Sequence, residues 1–167
     1  MKREELDTFM TLLYDNKNNE IKEFLNTKQE ILNDVTPMGT LIEIAASEGK
    51  KDIVDYLIEK GSDVNLGGGL EESPLVEASL RGYSEIVDLL LSKGAKMDVS
   101  SFEANPLFAA ISNGQNEIAI KLINKGIDIS AKYDIGEIKN CDAMEYARKY
   151  GCTEIYNYLK EKLKVHN

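Results

Sequence analysis

Glycine recurs in this 167-residue chain in two interleaved registers, and that recurrence constrains the fold more than anything else in it. Gly49, Gly82, Gly114 and Gly151 form one set, spaced 33, 32 and 37 residues apart. Gly61, Gly94 and Gly126 follow the first three by twelve residues each. The text around them repeats too. Gly49–Asn65 reads GKKDIVDYLIEKGSDVN, Gly82–Asp98 reads GYSEIVDLLLSKGAKMD, and Gly114–Ser130 reads GQNEIAIKLINKGIDIS. A fourth copy, Gly151–Val165, lacks the second glycine. A degenerate fifth lies at the front, with Asn16 in the first glycine's place and NNEIKEFL just after it. Self-similarity at this period predicts a solenoid, in which each unit buries its apolar face only against its neighbours.

Each unit has readable physics. Ser73-Pro74 and Asn105-Pro106 place a capping side chain and then proline at the first helical position, where a missing N–H costs nothing. Thr40 with Glu43, and Asp142 with Glu145, have capping-box spacing. Nine residues after each cap stands the first glycine, placed to end a short helix in a left-handed conformation. A second helix follows, with one apolar stripe: Ile53, Val54, Leu57 and Ile58 in one copy, Ile86, Val87, Leu90 and Leu91 in the next. Ala45, Ala78, Ala110 and Ala147 recur five residues after each cap, where a small side chain lets helices approach closely. The expected helices fall near 40–48, 52–60, 73–81, 84–92, 106–113, 116–124, 142–150 and 153–162.

The pattern resembles the ankyrin repeat, whose unit opens with T-P-L-H-x-A. That opening stands here as TLIEIA (Thr40–Ala45), SPLVEA (Ser73–Ala78), NPLFAA (Asn105–Ala110) and DAMEYA (Asp142–Ala147). The resemblance implies an all-α solenoid of stacked helix-turn-helix units with short hairpin-like connectors. It further implies one domain over 1–167: a capping unit over about 1–35, repeats over 36–68, 69–100 and 101–137, and a C-terminal capping repeat over 138–167. Two departures stand out. Glu43, Val76, Phe108 and Glu145 replace the histidine of the opening, so its hydrogen bonds between units are expected to be absent. Met38, Glu71, Glu103 and Asn140 stand where a connector glycine is usual, so irregular tips are expected. The insertion Ala131–Asn140 should lengthen one finger, and Gly67–Glu72 should form a glycine-rich one.

Composition narrows the function. Twenty basic residues against 29 acidic ones give a net charge of −9, which disfavours nucleic acid as a partner. Arginine occurs three times (Arg3, Arg81, Arg148), and the one histidine, His166, lies next to the end. Cys141 and Cys152 have no His or acid cluster to complete a metal set, and two unpaired thiols are expected. Gly67-Gly68-Gly69 lacks the G-K-[ST] of a phosphate loop. No cofactor, metal or catalytic set is expected. The opening MKREELDTFM carries acids where a secretory signal needs an apolar run, and no stretch is long enough to span a membrane. A cytoplasmic monomer without membrane contact is the expectation. Residues 1–100 hold 11 basic and 20 acidic side chains, and 101–167 hold nine of each.

The resemblance also implies a surface. In ankyrin proteins the connector tips and the exposed end of each first helix line a protein-binding groove. Carried over by register, these places hold Tyr14, Leu70, Leu80, Arg81, Phe102, Asn113, Ile138 and Tyr150, with Tyr133 on the long finger. Exposed together, the apolar and aromatic members would mark a partner site. Folded back by irregular tips, they would instead be core. If exposed, Leu80, Phe102 and Tyr150 should each tolerate serine at a cost below about 1 kcal/mol. The function implied is a non-catalytic protein-interaction module. A dedicated inhibitor or immunity protein for one enzyme or toxin is the alternative, with a small-molecule binder or enzyme behind it.

Overall fold

The computed structural model describes residues 1–68 and 73–165. Its helices come in consecutive pairs: α1 (Arg3–Tyr14) with α2 (Asn18–Thr27), α3 (Leu41–Ser47) with α4 (Lys51–Lys60), and α5 (Pro74–Arg81) with α6 (Ser84–Ser92). Then follow α7 (Pro106–Ser112) with α8 (Asn116–Asn124) and α9 (Ala143–Lys149) with α10 (Thr153–Val165). The first helices stack in the order α3, α5, α7, α9, and the second in the order α2, α4, α6, α8, α10. The helices from α3 onward fall where the repeat predicts, except that α10 runs on to Val165; α1 and α2 make up the degenerate front unit, whose helix bounds the repeat does not set. Among the described residues no helix is long and apolar enough to cross a membrane.

Helices of seven or eight residues are unstable alone, so packing and caps must hold them. The recurrent alanines, Ala45, Ala78, Ala110 and Ala147, are fully buried in the first-helix row. Ile53, Val54, Leu57, Ile86, Val87 and Leu90 of the second row join them in one core. Ser73 accepts from the Val76 N–H, Asn105 from those of Leu107 and Phe108, and Asp142 from that of Glu145. Thr40 and Glu43 close a full capping box. The box expected at Asp142 is only half made, because the Glu145 carboxylate turns to Arg148 instead (2.6 Å).

Asn16 takes the glycine's left-handed conformation, with φ 57°, as its register implies. The residue after each such position lies over the preceding unit. Tyr83 covers Gly49, where an added Cβ would meet the ring at 2.7 Å, and Gln115 covers Gly82. Lys50 donates to the Asn16 side chain, and the Cys152 thiol to the Ile111 carbonyl (3.3 Å).

The connectors depart from a regular pattern in a legible way. In the first, the turn glycine is Gly39, one residue later than usual, bridged to Thr36. In the last, Asn140 adopts φ 54° in the glycine's stead. The long finger is a two-stranded antiparallel hairpin, β1 (Tyr133–Ile135) and β2 (Ile138–Cys141), pairing Ile135 with Ile138. The expected loss of inter-unit bonds at the histidine position is corrected at Glu43. Its buried carboxylate accepts from Thr40 N (2.6 Å) and from Gly68 N in the connector that leads towards α5 (3.0 Å), tying the two connectors together as an acceptor.

Candidate protein-binding surface

The connector before α7 carries Phe102 inward. Asn105 N–H donates to the Phe102 carbonyl and Ala104 N–H to Ser101 Oγ, closing a tight turn. The Phe102 ring then sits edge-on to Phe108 (5.6 Å between centroids) and Tyr146 (5.6 Å). Phe108 also contacts Tyr133 (5.1 Å) and Tyr146 (4.9 Å), and Tyr146 contacts Tyr150 (4.4 Å). Five rings from two units thus form one cluster. Tilted and edge-to-face contacts of this kind add to plain area burial.

Where Phe102 leans over the first-helix row, an open recess of about 130 Å³ remains. Val76 and Phe108 are its buried floor; Leu80, Phe102, Ala109 and Ser112 are half-buried walls; Glu103 stands exposed at the rim. Glu103 makes no ion pair or hydrogen bond with its side chain among the described residues.

The expected surface residues divide accordingly. Leu80 and Phe102 share the recess. Arg81 is exposed beside it, with Nε 3.8 Å from Glu77 Oε2. Asn113 donates its side-chain amide to the Leu80 carbonyl (2.9 Å), fixing α5 to the end of α7. Tyr150 is 49% exposed, with the Lys149 amine 5.9 Å from its ring. Tyr14 is 56% exposed at the far end, on α1. Ile138 is half-buried on β2, packed against the core. Leu70 lies outside the described residues.

Four expectations of exposure need correction, since Leu80 and Ile138 are half-buried like Phe102 and Tyr133: Leu80 forms a wall of the recess and Ile138 packs on the core from β2. Phe102 is half-buried in the ring cluster, because the tip without its glycine turns back onto α7. Tyr133 is half-buried as well. Its hydroxyl donates to the Val99 carbonyl (2.7 Å) and accepts from Asn105 Nδ2 (3.0 Å), tying the long finger to the preceding unit. Burial raises the Tyr133 phenol above its ordinary range, and burial, then the Tyr150 hydroxyl, raise that of Tyr146. Ala109 did not stand out in the sequence, and Val76 and Glu103 stood out only as departures from the family's opening and connector. Phe108 did, as the aromatic residue in the family histidine's place, and that substitution was the available clue to the recess.

Among the described residues no cluster of His, Cys, Asp or Glu is disposed to hold a metal. The family model described as ankyrin repeats (3 copies) matches residues 42–133 and 75–167. The ankyrin repeat and KH domain-containing protein mask-1 of Caenorhabditis elegans is 39% identical over 119 residues, covering 70% of this chain and 4% of its own length. An ankyrin repeat protein of Rickettsia felis is 33% identical over 123 residues, 68% of this chain and 52% of that one. Human BCL-6 corepressor-like protein 1 is 35% identical over 91 residues, 53% of this chain and 5% of that protein. The chain therefore spans about half of one of these relatives and a small part of the other two. Ankyrin repeats generally serve as protein–protein interaction modules, and the family is generally non-enzymatic. Paired helices at a 33-residue period, openings capped as the family caps them, and a family match over more than half the residues lead to one conclusion: this chain belongs to the ankyrin-repeat family.

Proposed function

We propose that this chain binds a partner protein through the face built from α5, α7, α9 and their connectors, and that it does so without catalysis. The observation that carries the reading is the open apolar recess between Val76, Leu80, Phe102 and Phe108, linked through the Tyr146 ring to the exposed ring of Tyr150. Apolar surface left open beside an aromatic residue is where interface anchors usually seat. Arg81, Asn113, Tyr14, Ile138 and Leu70 belong to the same proposed surface by register, with Phe102 and Tyr133 shaping it from beneath.

The chain acts as a monomer in the cytoplasm on this reading. The Glu145–Arg148 pair puts charge on α9, where the equivalent places on α7 hold Phe108 and Ile111, and so discourages stacking by a second copy. The net charge of −9 discourages nucleic acid.

Affinity capture from native lysate tests the reading, comparing the wild type with a Leu80→Ser, Tyr150→Ser double variant. The expected result is a protein retained by the wild type and lost by the variant, with the variant shown by circular dichroism to keep its helical fold. A folded variant that keeps the same partner at full affinity would overturn the proposal. Suppression of a captured enzyme's activity would make the chain a dedicated inhibitor.

A further inference from the structure

We infer that the recess beside Glu103 receives a single aromatic or leucyl side chain from a partner segment that carries lysine or arginine next to that anchor. The inference deepens the protein-binding reading above and rests on it. Size comes first. The recess holds about 130 Å³, and an apolar cavity of about 150 Å³ takes up benzene. One phenyl or isobutyl group fills it.

Chemistry comes second. Val76 and Phe108 form the floor, and Leu80, Phe102 and Ala109 the sides, so nothing deep in the recess rewards a polar group. The rim is different. The Arg81 guanidinium already faces Glu77, 3.8 Å away. Glu103 has no side-chain partner among the described residues, which makes its carboxylate the unmatched charge at the mouth. At the place equivalent to Arg81, just past the end of α3, stands Glu48, whose carboxylate likewise has no partner among the described residues.

The wider field has the same sign. Residues 1–100 carry 20 acids against 11 bases. Towards the other end Lys139 pairs with Asp134 (3.0 Å) and Arg148 with Glu145 (2.6 Å), while Lys149 lies 5.9 Å from the Tyr150 ring, away from the recess. A partner bearing acids beside its anchor would meet unmatched carboxylates, whereas a basic one meets complementary charge and is steered to the site.

Two capped pentapeptides serve as probes, each with a central phenylalanine, one flanked by lysines and the other by glutamates. Each is titrated into the full chain with labelled Val, Leu and Ala methyl groups, and methyl shifts at Val76, Leu80 and Ala109 are followed. The lysine-flanked peptide should bind roughly two- to five-fold more tightly, the effect of an exposed charge pair. The preference should shrink as salt is raised. Glu103→Gln should remove most of it while leaving the methyl pattern in place, and this exposed substitution should not disturb folding. Ala109→Leu, which fills the recess, should abolish the shifts from both peptides, with a thermal melt confirming that the variant is folded.

Equal affinity of the two peptides, a glutamate preference, or a lysine preference that survives Glu103→Gln would each overturn the inference. So would the absence of recess shifts with either peptide. The protein-binding reading fails separately, when the folded Leu80→Ser, Tyr150→Ser variant captures its partner as well as the wild type does.

Discussion

Asn105 is fully buried with its side-chain amide in use. Oδ1 accepts from Leu107 N (2.9 Å), and Nδ2 donates to Tyr133 Oη (3.0 Å). Tyr133→Phe keeps the ring and strands that amide donor, which should cost about 1–3 kcal/mol by chemical denaturation. A tyrosine merely displayed on the finger would cost nothing measurable. Phe102→Ser, harmless if the ring were exposed, should for the same reason cost more than about 1 kcal/mol, since it removes contacts with three other rings. The two thiols provide another residue-scale test. Cys141 is buried, and desolvation first, then Glu145 and Asp142, raise its pKa, which depletes the reactive thiolate. Cys152 is half-buried at a helix junction. A thiol reagent at neutral pH should label Cys152 in the native protein and Cys141 only after unfolding, as peptide mapping would show. Register placed Phe102 and Tyr133 at their tips correctly. It could not tell which way they pointed, because a connector's direction depends on backbone conformations that a one-residue shift in glycine position changes.

Between connectors, asparagine works as a hinge pin from one unit to the next. Asn33 donates to the Gly61 carbonyl (3.1 Å) and accepts from Asp63 N (2.8 Å). Asn65 repeats both bonds one unit on, to the Gly94 carbonyl (3.3 Å) and from Lys96 N (2.7 Å). Asp98 holds the third such place, and a carboxylate has no hydrogen to give the next carbonyl; it accepts from Ser100 N instead (2.8 Å). Asn65→Asp should therefore lose about 1–2 kcal/mol at nearly constant shape, through one missing donor and a charge facing a carbonyl. Melting temperatures of the two proteins would check this. The helices themselves were legible almost to the residue, because cap, apolar stripe and terminating glycine all repeat in phase and each copy corroborates the others. The hairpin of the long finger was legible only as extra length. Its strands, Tyr133–Ile135 and Ile138–Cys141, have no counterpart in other units to reveal a pattern.

Across the whole molecule, the shifted carboxylates agree in sign. Asp98, Asp128, Asp134, Glu145 and Glu5 are all held below the usual range, by Ser100, by Ser130, by Asn140 N–H with Lys139, by Arg148 and by Lys28 respectively. A carboxylate whose folded pKa is depressed contributes stability above its unfolded pKa and loses it as pH falls through the folded value. Urea midpoints should thus hold from neutrality to about pH 5 and decline progressively below about pH 4, where unperturbed carboxylates titrate. Lys28, raised by Glu5, has the opposite sign, and its contribution fades only as pH climbs past its elevated value. Net charge and its uneven spread were fully readable from composition. The recess was not, since it needs Val76 and Phe108 from different units to share one floor.

The Tyr133 clasp has a mechanical consequence. In a plain solenoid each unit adheres only to its neighbours and can peel from either end in single steps. Here the long finger that leads into α9 grips Val99 and Asn105 through the Tyr133 hydroxyl, and its ring packs on Phe108 in the cluster that α7 and α9 share. Stretched between its termini in an optical trap, the chain should shed its N-terminal units first. The α7–α10 segment should then give way last, in one larger extension that Tyr133→Phe divides into two.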